Sequence, residues 1–170
     1  MLFRSCGYYN WTVRAYDGTS YSSYPAWFNF SLQPYVAITL LQNLSDFGHM
    51  EPGQTNDTAD NNPEPFIVQS DSNVLVNLTV NATDPLWGAS ALGNNNFRFK
   101  ANTTNEPNSF ASATSQMTYT PLTGSAILAV HNLKYTNQND TVGIDFEVTV
   151  PNAEPPGVKT SNVVVEARQS

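Results

Sequence analysis

The stretch Val74-Leu75-Val76-Asn77-Leu78-Thr79-Val80-Asn81-Ala82-Thr83 decides the fold. Val74, Val76, Leu78, Val80 and Ala82 fall on alternate positions, and Asn77, Thr79, Asn81 and Thr83 fall between them. Successive side chains of a β-strand point to opposite faces, so this period of two puts the apolar set on one side and the polar set on the other. Such a segment is a half-buried strand with one face toward a core and one toward water.

The same pattern recurs on both sides of it. Val142, Ile144, Phe146, Val148 and Val150 make a second inward face, closed by Pro151, and Val163, Val165 and Ala167 make a third. Residues 97–100 (Phe-Arg-Phe-Lys) alternate as well. Residues 35–41 and 66–68 read as strands, with weaker signals at 117–119 and 127–133. Residues 47–65 read as a long polar, acidic loop, and 84–96 as a connection that carries Trp87 and Leu92 and includes a helical turn. About eight strands with long connections fit an all-β fold, an antiparallel β-sandwich of jelly-roll type.

Composition agrees. Only 12% of residues are charged, and the polar surface comes from Asn, Ser, Thr and Gln, which suit turns and exposed strand faces better than helix interiors. Eleven Pro and nine Gly punctuate the chain. Seven scattered Lys and Arg against 14 Asp and Glu exclude the clustered positive charge that nucleic acid requires. No apolar run approaches the roughly 18 residues of a membrane helix, so no membrane segment is expected in this stretch. Cys6 is the one cysteine and has no internal partner for a disulfide.

Ahead of the sandwich, Trp11, Val13 and Ala15 alternate with Asn10, Thr12 and Arg14, Asp17-Gly18 turns the chain, and Phe28, Phe30 and Leu32 alternate with Asn29 and Ser31. That is a hairpin. Pro34 marks the boundary, giving segments 6–33 and 34–170. Residues 1–5, Met-Leu-Phe-Arg-Ser, read as the translated end of a sequencing adapter on a truncated gene, and so as a non-native leader.

Two resemblances follow. Tyr9-x-Trp11-x-Val13-x-Ala15-x-Asp17-Gly18, followed by Ser22-Ser23 and Trp27-Phe28-Asn29-Phe30, resembles the last two strands of a fibronectin type III (Ig-like) domain, with Tyr9 at that family's corner tyrosine. It covers residues 6–33 and implies that five earlier strands belong upstream. Phe47-Gly48, Pro52-Gly53, Pro65-Phe66, residues 73–77, residues 145–151 and Pro155-Pro156-Gly157 resemble sandwich domains of archaeal surface proteins and the TasA/camelysin-type domains of extracellular fibres. This implies an extracellular jelly-roll module of the kind that polymerises by lending a strand, although here the hairpin occupies the place of a donor strand.

Eight Asn-x-Ser/Thr triplets place N-glycan acceptors at Asn10, Asn29, Asn43, Asn56, Asn77, Asn81, Asn102 and Asn139. With 20 Asn and 32 Ser plus Thr in 170 residues, chance gives roughly four. Asn10, Asn29, Asn77 and Asn81 are also a by-product of outward strand faces rich in Asn and Thr. Asn43, Asn56, Asn102 and Asn139 are expected in loops. The acidic run from Glu51 to Glu64, with Asp57, Asp60 and nearby Asp71, offers hard oxygens for calcium but lacks the spacing of a known calcium loop. His49 and His131 do not make a zinc site, there is no Gly-x-Ser-x-Gly elbow, and Asp145 with Glu147 read as a solvated outer face. A non-enzymatic extracellular module of structure or adhesion is expected, its partners being neighbouring domains, other surface proteins and glycans. The alternative is a carbohydrate-binding module that stacks sugars on exposed rings, with Trp27 and Trp87 as candidates.

Overall fold

The computed structural model describes residues 5–170 and is all-β; the first four residues of the adapter-like leader lie outside the described residues. Eleven strands are present among them: β1 Gly7–Trp11, β2 Phe28–Leu32, β3 Ile38–Gln42, β4 Thr55–Asp57, β5 Phe66–Ser70, β6 Val76–Ala82, β7 Phe97–Asn102, β8 Thr120–Pro121, β9 Ile127–Leu133, β10 Thr141–Thr149 and β11 Val163–Gln169. All pairings are antiparallel. No helix among the described residues is long and apolar enough to cross a membrane.

β6 is buried at every second residue, as its alternation requires, and lies between β11 and β9 in a three-stranded sheet. The facing sheet runs β3-β5-β10-β7-β8, with β4 also on β10. After β5 the chain passes to the other sheet for β6, returns for β7 and β8, crosses for β9, returns for β10 and crosses again for β11. This interleaving builds the antiparallel sandwich. It brings strands distant in sequence together over one core, in which Leu78, Val80, Phe99, Val130, Ile144 and Phe146 are buried. Phe146 meets Phe66 edge-on at 4.8 Å and lies 6.1 Å from Phe97.

β10 organises the larger sheet. One of its edges pairs with β7 along residues 143–148. Its other edge is shared: β5 takes residues 141–144 and β4 takes 147–149. Thr58 bridges the gap between them, because its N–H donates to Phe146 O (3.0 Å) while its hydroxyl accepts from Phe146 N (2.9 Å). Residues 47–65 are therefore not one long loop. They contain β4, whose Thr-Asn-Asp sequence carries no apolar alternation and is held by backbone pairing to β10 and by a hydrogen bond between the Thr55 and Thr149 hydroxyls (2.8 Å).

Two further expectations are corrected here. Asn56 lies in β4 and Asn102 in β7, and neither is in a loop. Asp145 is not on a solvated face, since the segment from β4 to Thr58 and the side chains of β7 cover it and leave it 1% exposed.

β1 and β2 form a two-stranded sheet of their own. The register pairs Tyr9 with Phe30 and Trp11 with Phe28, and both ring pairs stack, at 5.3 and 5.0 Å. Asn73 holds this sheet to the sandwich. Its Oδ1 accepts from Tyr35 N (2.7 Å), its Nδ2 donates to Gln33 O (3.0 Å), and its carbonyl accepts from Cys6 N (3.3 Å). Chain entering and leaving the hairpin is thus gripped at one residue.

Candidate functional site

Two surfaces stand out. The first is the arm between β1 and β2. Asp17 Oδ1 accepts the N–H groups of Thr19 and Ser20, each at 2.9 Å, and these amides, Ser20 first, hold the carboxyl below its usual range. Gly18 follows at φ +97°, a conformation that a side chain would strain. The turn sets Tyr16 against Tyr21, with centroids 4.6 Å apart. The Arg14 guanidinium lies between two rings, 4.5 Å from Tyr21 and 4.1 Å from Tyr24. Tyr24 in turn stacks with Trp27 at 6.3 Å and 11°. Five side chains form a ladder in which a cation sits on ring faces, each such contact contributing about 0.5–1 kcal/mol at an exposed site. The outer rings remain open: Tyr24 is 61% and Trp27 62% exposed.

Trp87 is different. It is 8% exposed, and its indole N–H donates to Asn96 O at 3.0 Å. The Trp87 loop is locked by buried Glu154, whose two oxygens accept from Gly88 N (2.9 Å) and Ala89 N (2.8 Å) and which pairs with Lys159. No ring face is available, so Trp87 is removed as a sugar-stacking residue; its apolar ring closes the end of the core.

The second surface is the outer face of β7 and β10. Three cross-strand pairs follow one another there: Asn102 with Gly143, Lys100 with Asp145 and Arg98 with Glu147. Arg98 Nε donates to Glu147 Oε1 at 2.8 Å, and Lys100 Nζ is 3.6 Å from Asp145 Oδ2. Burial pushes the Asp145 carboxyl above its usual range, against the pull of Lys100, Asn102 and Thr58. Tyr119 lies over this face, with Lys100 Nζ 4.6 Å from its ring centre. Burial and then the carboxylates of Asp57, Asp145 and Glu147 push its hydroxyl up, and that hydroxyl has no hydrogen-bond partner among the described residues. Asp145 and Glu147 stood out in the sequence, and Asn102 only as a glycan acceptor, while Lys100, Thr58 and Tyr119 did not. The Phe-Arg-Phe-Lys alternation at residues 97–100 was the one signal that placed a cation opposite each carboxylate.

The sequons divide by what their amides do. Asn10, Asn29, Asn43 and Asn56 are exposed, and Asn10 and Asn29 face each other across the hairpin. Asn81 and Asn139 are half-buried. Asn77 Oδ1 accepts from Asn132 N (3.0 Å), and Asn102 Nδ2 donates to Asp145 Oδ2 (2.8 Å), so both amides serve the fold. Of the acidic side chains considered for calcium, Asp57 and Asp60 cap turns, accepting from Ala59 N and Asn62 N, and Asp71 accepts from the Thr39 hydroxyl 32 positions earlier. Among the described residues no three His, Cys, Asp or Glu converge to hold a metal ion. His49 pairs with Glu51, and His131 Nδ1 meets the Thr114 hydroxyl at 2.9 Å.

Compared with protein-family models, with curated proteins and with solved structures, the chain matches none.

Proposed function

We propose that the chain is a non-enzymatic extracellular module of structure or adhesion in a larger secreted or cell-surface protein, part of an envelope, stalk or fibre. The carrying observation is the arm. A ladder of Tyr16, Tyr21, Arg14, Tyr24 and Trp27 projects its rings to solvent beside a sandwich whose Phe97, Phe99, Phe110 and Phe146 rings are buried. Contiguous exposed apolar surface of this kind marks an interaction site. Rigid aromatic anchors flanked by polar groups hold partners at low entropic cost. Partners are neighbouring domains, other surface proteins and copies of the same chain. Four sequons on exposed positions support an extracellular place.

The test is aggregation of beads coated with the full chain. The reading expects clustering that is lost when Tyr24→Ser and Trp27→Ser are combined, with the far-UV spectrum unchanged. Clustering that persists in that variant, or coated beads that never cluster, would remove the arm as the adhesive surface.

A second reading has one observation of its own. Tyr24 and Trp27 lie nearly parallel at 11° and both are open, so an exposed ring face of Trp27 is one on which a pyranose ring can stack. A glycan array probed with the full chain and with Trp27→Ala decides it: saccharide binding that Trp27→Ala abolishes favours this reading, and an array with no signal dismisses it.

A further inference from the structure

The outer face of β7 and β10 holds an amine and a carboxyl in a relation that ordinary surface ion pairs lack. Lys100 and Asp145 are direct cross-strand partners, and Nζ stands 3.6 Å from Oδ2. The Asp145 side chain is 1% exposed and that of Lys100 22%. Both carboxyl oxygens are held: the Thr58 hydroxyl donates to Oδ1 at 3.3 Å, and Asn102 Nδ2 donates to Oδ2 at 2.8 Å. The Tyr119 ring closes the amine side, 4.6 Å from Nζ.

We propose that Lys100 and Asp145 condense to an intramolecular amide, a covalent staple between β7 and β10. The balance is simple. Within the pair the ammonium proton passes to the carboxylate, giving a neutral amine beside a carboxylic acid. Nζ then attacks Cγ, and the C–Oδ2 bond breaks. Oδ2 leaves as water with one further proton from nitrogen, and Oδ1 remains as the amide carbonyl. An ammonium and a carboxylate become one amide and one water, with no oxidant, reductant or other reagent.

The surroundings favour each part. Taking two charges out of water costs several kcal/mol per ion, so burial disfavours the ion pair relative to its neutral form. Burial raises the Asp145 carboxyl in keeping with this. Two groups fixed in contact react at effective concentrations far above those of free groups. Thr58 donates to the oxygen on which negative charge gathers during attack, the role of an oxyanion donor. Glu147, the next carboxylate on this face, is held by Arg98 and does not compete for the amine. The staple would tie together two strands 45 positions apart in a chain whose single cysteine offers no internal disulfide. The inference rests on the fold alone and is independent of the adhesive arm.

The test is the intact mass of the full chain, made in a host without N-glycosylation, together with a peptide map. The expected result is a folded protein lighter by one water, with a branched peptide joining the segments around Lys100 and Asp145. Lys100→Arg should carry the full mass. A mass deficit in a linear Asp145 peptide would indicate a succinimide and overturn the proposal. So would full mass in wild-type protein that unfolds cooperatively. The wild-type peptide map decides the matter even if the variant does not fold.

Discussion

Phe146→Ala probes the centre of the sandwich. Phe146 sits on the inward face of β10, fully packed, edge-on to Phe66 at 4.8 Å and 6.1 Å from Phe97. Removing a buried phenylalanine ring costs about 3–5 kcal/mol, as lost transfer energy plus the cavity left behind. Loss of the edge-on ring pair contributes roughly 0.5–1.5 kcal/mol within that range. A domain of this kind has about 5–15 kcal/mol in all, so the variant remains folded but with little reserve. With a urea slope of about 2–3 kcal/mol per molar, the midpoint falls by roughly 1–2 M. The assay is equilibrium urea unfolding followed by far-UV circular dichroism and tryptophan fluorescence. Leu128→Ala is the control: Leu128 lies on the edge strand β9, is 43% exposed, and its loss should cost no more than about 0.5 kcal/mol. If the Phe146→Ala midpoint moves no further than that of Leu128→Ala, the inward register of β10 is wrong.

Three more outcomes follow from particular side chains. Glu106 Oε2 accepts from Asp140 N, Thr141 N and the Thr141 hydroxyl at 2.9, 2.9 and 2.7 Å; burial raises its carboxyl, but these bonds outweigh burial and hold it below the usual range. A depressed carboxylate stabilises the fold above its unfolded pKa and loses that contribution as pH falls through the folded value. Glu106→Gln should therefore cost about 1–2 kcal/mol at pH 7 by urea unfolding, with the difference from wild type shrinking at acidic pH. A pH-independent difference would contradict the carboxylate's role. Asn73→Ala removes two hydrogen bonds to the hairpin junction, about 1–3 kcal/mol of local holding, and limited proteolysis should then cut near Pro34 faster while the main unfolding midpoint moves little. In a glycosylating host, peptide mapping should find glycan on exposed Asn43 and none on Asn102 of folded protein, because a glycan there displaces the bond to Asp145.

Strands with one wet face were legible in the sequence. Val76–Ala82 and the inward set Val142, Ile144, Phe146 and Val148 each announce their face by period two, and the structure buries those residues. β4 was not legible, because Thr-Asn-Asp carries no apolar alternation and owes its place to the free edge of β10, through backbone pairing and the hydrogen bond between the Thr55 and Thr149 hydroxyls. The outer face of β10 misled for a related reason. Alternation says only that Asp145 points away from the core, and a segment at Thr58, 87 positions earlier in the chain, supplies the cover. Trp87 misled because a tryptophan in a polar connection looks exposed until Glu154, 67 positions later, pulls that loop onto the core. Trp27 kept its expected exposure, but its ladder with Tyr24 and Arg14 depends on the turn at Asp17-Gly18 and had no sequence signature of its own.

Amide hydrogen exchange on the full chain distinguishes an open aromatic arm from the closed sandwich that carries it. Exchange in β6, β7 and β10 should report the global unfolding free energy, while amides in residues 12–27 exchange orders of magnitude faster. Protection across residues 12–27 equal to that of β10 would contradict the account, because the arm would then be part of the cooperative core.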